Sequence, residues 1–251
     1  MMHLLDIISI TRNDYDGICN TIRSSVGLRD VQGVRHIVID GTETDCVQEV
    51  LKSFCYENGI CFFGAPPSGI APAFNFGLRE TRGEWIWFLN GRDEVHPGLD
   101  PGNLIYILQQ TRADVIIFEM EFMQSGKQYR HPPLRDLWPP VYNWIPHPAT
   151  IIRRKVFEKY GLFDESYRIA MDGEFWFRAL GNDVVVDMVS IPVVLYDESG
   201  ISSSNQRSMA VEVTRILRRY LPAMVRMWLS SGQKIFNALR HFRKLSKTVP
   251  K

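Results

Sequence analysis

GEWIWFLNGRDEVHP, residues 83–97, holds an unbroken apolar run, Trp85-Ile86-Trp87-Phe88-Leu89, that stops at Asn90, Gly91, Arg92, Asp93 and Glu94. A short apolar run bounded by turn residues predicts a buried strand. This one delivers a polar cluster at its carboxyl end, the edge at which open α/β sheets receive ligands. Carboxylate and amide oxygens in that place suit a divalent cation on a diphosphate. The same residues also suit a plain surface turn.

Upstream, the chain alternates. Strands are predicted at Ile7–Ile10, His36–Ile39 and Ile60–Phe63, with helices over Gly17–Val26, Glu43–Tyr56 and Ser68–Leu78 between them. Strands alternating with helices predict an α/β fold with a mostly parallel sheet. Downstream the pattern loosens. Asp114–Phe122 reads as a strand and Tyr167–Leu180 as a helix, followed by two short strands at Val184–Val189 and Pro192–Tyr196. Between them lies a loop punctuated by Pro132, Pro133, Pro139, Pro140, Pro146 and Pro148 and rich in aromatics, among them Trp138, Tyr142 and Trp144. Loops of that length are commonly functional; these rings suit sugar stacking, but an ordinary core role is the favoured reading.

Bulk properties narrow the class. With 45% hydrophobic and 23% charged residues, the 251-residue chain has the composition of a globular protein. Cys19, Cys46, Cys55 and Cys61 form no CxxC pair, which predicts free thiols in a reducing compartment. The opening MMHLLDIISI lacks a basic n-region, and no apolar run approaches the roughly 20 residues of a spanning helix. A cytoplasmic location is expected. The net charge of +1 conceals an asymmetry: residues 1–204 carry 18 Lys/Arg against 27 Asp/Glu, whereas residues 205–251 carry 11 against Glu212 alone. That split predicts a body with a basic tail facing an anionic surface.

Thr11, Arg12 and Asn13 follow the first strand, Asp40 the second, and Asn90 and Asp93 the fourth. Each is a common turn former, but together they line one crevice suited to a nucleotide. No GxGxxG follows the first strand and no GxxxxGK[ST] occurs, which argues against a dinucleotide site and excludes a P-loop. A sugar nucleotidyltransferase would want a Gly-rich basic loop that Thr11–Gly17 does not supply.

Four stretches in order, IISIT, HIVIDGTETD, SGIAPAFNFGLRETRGEWIWFLNGRDEVHPG and HPATIIRRKVFEKYGLFDESYRIAMDGEFWFRAL, resemble family 2 glycosyltransferases over roughly residues 6–181. The likeness is to the bacterial polysaccharide branch typified by the colanic acid transferases, which shares the element Gly200-Ile201-Ser202-Ser203. The resemblance implies a GT-A fold, a Rossmann-like nucleotide-binding sheet with helices on both faces, and transfer of a sugar from a nucleotide-diphosphate donor with inversion. It implies nucleotide contacts at Thr11, Asn13 and Asp40, with Asn90 and Arg92 beside them. It assigns Asp93 to a Mn or Mg ion and Asp172 the role of catalytic base. Glu174 is the second carboxylate for acceptor or diphosphate, and His147 stands at the acceptor edge. Arg92 departs from the family pattern, where a carboxylate or small residue is usual. Either it points away, or it meets the diphosphate itself and weakens the dependence on metal, since a guanidinium suits bidentate phosphate contact.

The tail carries Val225, Trp228, Leu229, Ile235, Phe236, Leu239 and Phe242 at near-helical spacing among basic residues. A basic amphipathic helix reads as a membrane-surface element, and packing on the body or a homodimer contact are the plainer readings. A nucleic-acid partner would waste the apolar face. The expected organisation is a catalytic domain over 1–204, with a nucleotide half (1–97) and an acceptor half (98–204), and a helical tail over 205–251. The expected activity is an inverting glycosyltransferase peripheral to the cytoplasmic membrane, with a nucleotide-sugar donor and a lipid-linked saccharide acceptor of surface polysaccharide. A catalytically weak nucleotide-binding scaffold is the alternative.

Overall fold

The structure, a computed structural model, describes residues 3–130, 145–180, 183–199 and 205–231, with side chains of its last helix described over 205 and 207–220. Strand β1 (Leu5–Thr11) pairs in parallel with β2 (Val34–Asp40) and with β4 (Trp85–Phe88), and β2 pairs in parallel with β3 (Cys61–Gly64). Helices α1 (Tyr15–Ser24), α2 (Val26–Arg29), α3 (Asp45–Glu57) and α4 (Ile70–Glu80) connect these strands. The side chains of β1 and β4 alternate between two cores. Ile7, Trp85 and Trp87 enter one, and Ile8, Ile86 and Phe88 the other. A strand covered on both faces needs apolar residues on both, which is why GEWIWFL reads as a continuous run. Helix α4 lies close on β1: a Cβ added at Gly77 would stand 2.6 Å from Ile8 Cγ2.

The second half departs from the parallel expectation. After β5 (Glu94–Val95) and α5 (Pro101–Gln110) come β6 (Val115–Phe122), β7 (Gln128–Tyr129), β8 (Thr150–Arg153), α6 (Arg154–Tyr160), α7 (Met171–Ala179), β9 (Val186–Tyr196) and α8 (Gln206–Ser231). The sheet order is β3-β2-β1-β4-β8-β6-β9-β5, with β7 on β6. Strand β8 is antiparallel to both β4 and β6, β6 and β9 are parallel, and β5 is antiparallel to β9. One mixed sheet therefore runs through both halves. The two strands expected at 184–196 are one, bulged against Phe118–Met120 where Ser190-Ile191-Pro192 interrupts the register, since a proline has no N–H to give a ladder.

Local signals explain other boundaries. Helix α1 starts earlier than expected because Asp14 caps it, accepting from Gly17 N at 3.3 Å. Helix α5 went unread, although Asp100 accepts from Gly102 N at 2.9 Å and Pro101 opens its first turn. Strand β8 and helix α6 also carried no prediction. Among the described residues, no helix is long and apolar enough to cross a membrane.

Candidate active site

Parallel register sets the site. Thr11 is level with Asp40 across β1 and β2, and the β1–β4 ladder runs on through Leu89 N to Ile8 O (2.9 Å) and Gly91 N to Ile10 O (3.1 Å). The carboxyl ends of these strands open into a cleft of about 980 Å³. Thr11, Asn13, Asn90, Arg92 and Asp93 stand on its wall, and Arg168, Tyr196, Asp197, Arg207 and Glu212 complete it. The structure thus brings the expected β1 and β4 residues together.

Asn13 holds φ +55, a conformation asparagine tolerates better than most residues, and its N–H donates to Thr42 Oγ1 at 2.9 Å. Thr42 in turn donates to Asp40 Oδ1 from its N–H (3.0 Å) and its hydroxyl (2.6 Å). Asp40 is fully buried and is not a wall residue, while Gly41 is. Among the described residues its Oδ2 has no hydrogen-bond partner, so a buried acceptor is left unspent next to Gly41 of the cleft wall.

Arg92 is held by three features. Its φ is +82, a strained region for a residue with a Cβ. Its Nε donates to Asp14 Oδ2 at 2.5 Å, and its Nη1 donates to Ser199 Oγ at 3.1 Å and lies 3.9 Å from Asp197 Oδ2. Gly17 makes room for it: a Cβ there would stand 2.4 Å from Asp14 Oδ2 and 2.5 Å from Arg92 Cγ. The guanidinium is exposed at the cleft, tied to α1 and to the end of β9.

Asp93 is 2% exposed, and its Oδ1 accepts from Asp197 N at 2.9 Å. Burial pushes its carboxyl up to about 8, against the opposing pull of the Asp197 N–H and the groups of Asn90. Burial also raises Asp197, but the Ser199 hydroxyl and N–H, the Gln124 amide and Arg92 outweigh it and leave that carboxyl below its ordinary range. Asp93 Oδ2 and Asn90 Oδ1 are buried oxygens without a hydrogen-bond partner among the described residues. Two such hard donors fit a Mg or Mn ion that takes its other ligands from phosphate and water. They do not make a closed protein cage: among the described residues no three His, Cys, Asp or Glu side chains gather around one point.

Asp172 stands half-buried in the first turn of α7, its Oδ1 accepting from Gly173 N at 2.8 Å. Desolvation, with some help from the Glu212 carboxylate, raises it to about 6. Its charge, like those of Asp93 and Asp197, is felt at Tyr196 on the cleft wall. A carboxylate with a pKa near neutrality is suited to take a proton.

Asp172, like Asp40, is not a wall residue of the cleft, and two further expected site residues are buried in the core. His147 is buried in a short 3-10 turn, stacked on Phe88 (4.9 Å between centroids, 21° between planes) and flanked by Phe74 and Phe163. Among the described residues neither ring nitrogen has a hydrogen-bond partner, and burial drives its pKa down to about 4, so the ring is neutral and faces the core. Glu174 is fully buried, bound by Arg178 Nε at 2.9–3.0 Å and by the Tyr220 hydroxyl at 2.5 Å. It holds α8 to α7 and is not a wall residue. Trp138, Tyr142, Trp144 and the Gly200–Ser203 element lie outside the described residues.

Asp14, Tyr196, Asp197, Ser199, Arg168, Arg207 and Glu212 were not singled out as site residues from sequence. Asp197 carried the same signal as Asp93, a polar group just past an apolar strand; Glu212 carried another, as the one acid in a basic segment.

The profile described as glycosyl transferase family 2 matches residues 6–172. An uncharacterized glycosyltransferase of Mycobacterium tuberculosis (strain ATCC 25618 / H37Rv) is 28% identical over 226 residues, 81% of this chain and 79% of the relative. A PGL/p-HBAD biosynthesis glycosyltransferase of Mycobacterium bovis (strain BCG / Pasteur 1173P2) is 23% identical over 168 residues, 65% of each protein. Among solved structures, S. aureus TarS 1-349 in complex with UDP has a TM-score of 0.64 at 15% identity, over 94% of this chain and 77% of that one. A longer TarS structure has a TM-score of 0.62 at 17% identity, over 85% of this chain and 40% of that one. At these identities the likeness to TarS is one of fold, which is GT-A-like.

Proposed function

The chain belongs to glycosyl transferase family 2 and is a glycosyltransferase, and from that premise we propose that it is an inverting enzyme drawing on a nucleoside-diphosphate sugar. The acceptor is a hydroxyl of a lipid-linked saccharide in bacterial surface-polysaccharide assembly, within the branch typified by the colanic acid transferases. The observation that carries the donor half is the wall itself: Thr11, Asn13, Asn90, Arg92 and Asp93 share one cleft with the unspent oxygen of Asp40 behind it. Uridine diphosphate is the first nucleotide to test, because TarS has been solved with UDP and with UDP-GlcNAc.

In the reaction, Asp172 takes the proton from the acceptor hydroxyl as its oxygen bonds to the anomeric carbon and the bond to the diphosphate breaks. Inversion follows from that single displacement. Arg92, exposed at the cleft, exchanges part of its carboxylate contacts for the diphosphate and stabilises the leaving group. A Mg or Mn ion, held by Asp93 and Asn90 when bound, adds positive charge at the same place. With Arg92 supplying one fixed cation already, dependence on metal is retained but weak. The tail over 205–251 docks on an anionic membrane, using basic residues beyond the stretch packed on the body.

Melting curves with UDP, GDP and dTDP, each with manganese and with chelator, test the donor site. A ligand at 100 times its dissociation constant adds about 2.7 kcal/mol of stability. One nucleotide that shifts the curve, more with manganese than without, supports the reading. An equal shift in chelator assigns the diphosphate to Arg92 alone, and no shift with any nucleotide counts against the site. Sedimentation with anionic vesicles of the full chain, but not of the chain ending at 231, supports membrane docking.

A further inference from the structure

We propose that Glu212 is a positioning residue for Asp172, its carboxylate gathering the backbone N–H groups of Arg168, Ile169 and Ala170 and so fixing the turn that leads from the cleft wall at Arg168 and Ile169 into Asp172 on α7. The inference rests on the reading of Asp172 as the base.

The three N–H groups approach the Glu212 oxygens at 2.8, 3.0 and 2.8 Å. Helix α7 has no cap of its own, because Ala170 at its N-cap brings no side-chain oxygen. The amide of Ala170 belongs to that end and needs an outside partner, those of Arg168 and Ile169 lie in the turn before it, and all three find the partner on another element, 42 to 44 residues away. A carboxylate there also meets the positive end of the helix dipole. Among the described residues the bonds to the Asp172 carboxylate are local, from Gly173 N and from its own backbone, so its place depends on the turn that precedes it.

Glu212 is itself held firmly. Residues 212, 215, 216, 219 and 220 fall at three- and four-residue steps on one face of α8. Arg215 bonds Ser166 and lies 3.9 Å over the Tyr167 ring, Arg219 reaches Asp164 at 3.3 Å, and Ile216 is buried. These contacts fasten the helix along the 164–170 segment. The lone acid of a segment otherwise rich in Lys and Arg thus points at a turn where three backbone donors are gathered.

The test compares the full chain with Glu212→Ala, Glu212→Gln and Asp172→Asn. It reads hydrogen exchange by mass spectrometry, UDP affinity by calorimetry, and turnover of the nucleotide sugar selected by the donor screen. In Glu212→Ala the amides of 168–170 exchange at least about tenfold faster, as the loss of charge-assisted bonds requires. Its kcat falls by tenfold or more while the UDP dissociation constant stays within about twofold. Glu212→Gln, which keeps an acceptor oxygen, recovers part of both. Unchanged protection at 168–170, or lost protection with unchanged kcat, overturns the positioning role. Should Glu212→Ala release α8 along the whole of 207–220, Glu212→Gln decides by the same two readouts. Full turnover in Asp172→Asn would instead overturn the base assignment, whatever exchange at 168–170 shows.

Discussion

Replacing His147 by leucine should make the protein more stable, and increasingly so as the pH falls. The imidazole lies among Phe74, Phe88 and Phe163, and among the described residues both nitrogens lack a hydrogen-bond partner. Leaving a buried polar group unsatisfied costs about 1–3 kcal/mol. Leucine is close in volume and removes that cost, but forfeits ring stacking worth about 1 kcal/mol. At pH 7 the net gain is therefore small, on the order of 1 kcal/mol. The pH dependence is the sharper signal. His147 titrates at about 4 when folded, against 6.5 as its ordinary value. Below pH 6.5 the unfolded chain binds a proton that the folded protein refuses, so wild-type stability drains away as pH falls from 6.5 towards 4. Each pH unit in that window is worth about 1.4 kcal/mol, so the variant's advantage should widen by about 2 kcal/mol between pH 7 and pH 5. For a chain of this size that corresponds to roughly 4–8 °C in Tm. Urea titrations of both proteins at pH 7, 6 and 5 measure it. A gap that stays flat with pH would refute the burial argument. A tenfold loss of turnover in the folded variant would restore the histidine to the acceptor edge.

Asp172→Asn should lower kcat by about 10²- to 10⁴-fold with UDP affinity unchanged, as loss of a general base does. In the wild type kcat/KM should rise with pH through about 6, the value to which burial raises that carboxyl, because the base acts only when deprotonated; a steady-state pH profile checks the limb. Arg92→Ala should weaken UDP binding in chelator by about tenfold and make the remaining binding more dependent on manganese, as calorimetry under both conditions will read. Full wild-type activity in excess chelator would contradict the retained metal role. Glu174→Ala should cost about 3–5 kcal/mol in a denaturant melt, since it leaves Arg178 without its buried carboxylate and the Tyr220 hydroxyl without an acceptor.

What the sequence determined by itself was everything set by local chain chemistry. The alternation of apolar runs and helices over the first ninety residues identified the α/β half. The abrupt stop after Leu89 marked the cleft edge, because a strand that ends in Asn, Gly, Arg and Asp announces its own terminus. Thr11, Asn90 and Asp93 were legible for that reason, and parallel pairing then had to bring them together. The tertiary structure decided what depends on distant partners. Whether β8 runs against β4 and β6 is a matter of register between strands far apart in sequence, and no local pattern encodes it. Histidine before a strand looks alike whether it faces a cleft or a cluster of phenylalanines, and only packing separates the two. Glu174 was expected to serve the acceptor or diphosphate and Glu212 stood out only as the one acid of a basic segment, and nothing local says what either carboxylate binds. One is consumed by Arg178 and Tyr220, while the other reaches back to the turn before Asp172. Arg92, too, was ambiguous until Asp14, 78 residues away, and Ser199, 107 away, fixed where its guanidinium lies. Sequence proximity writes strands, turns and caps; the burial and pairing of charge are settled only when remote elements close on one another.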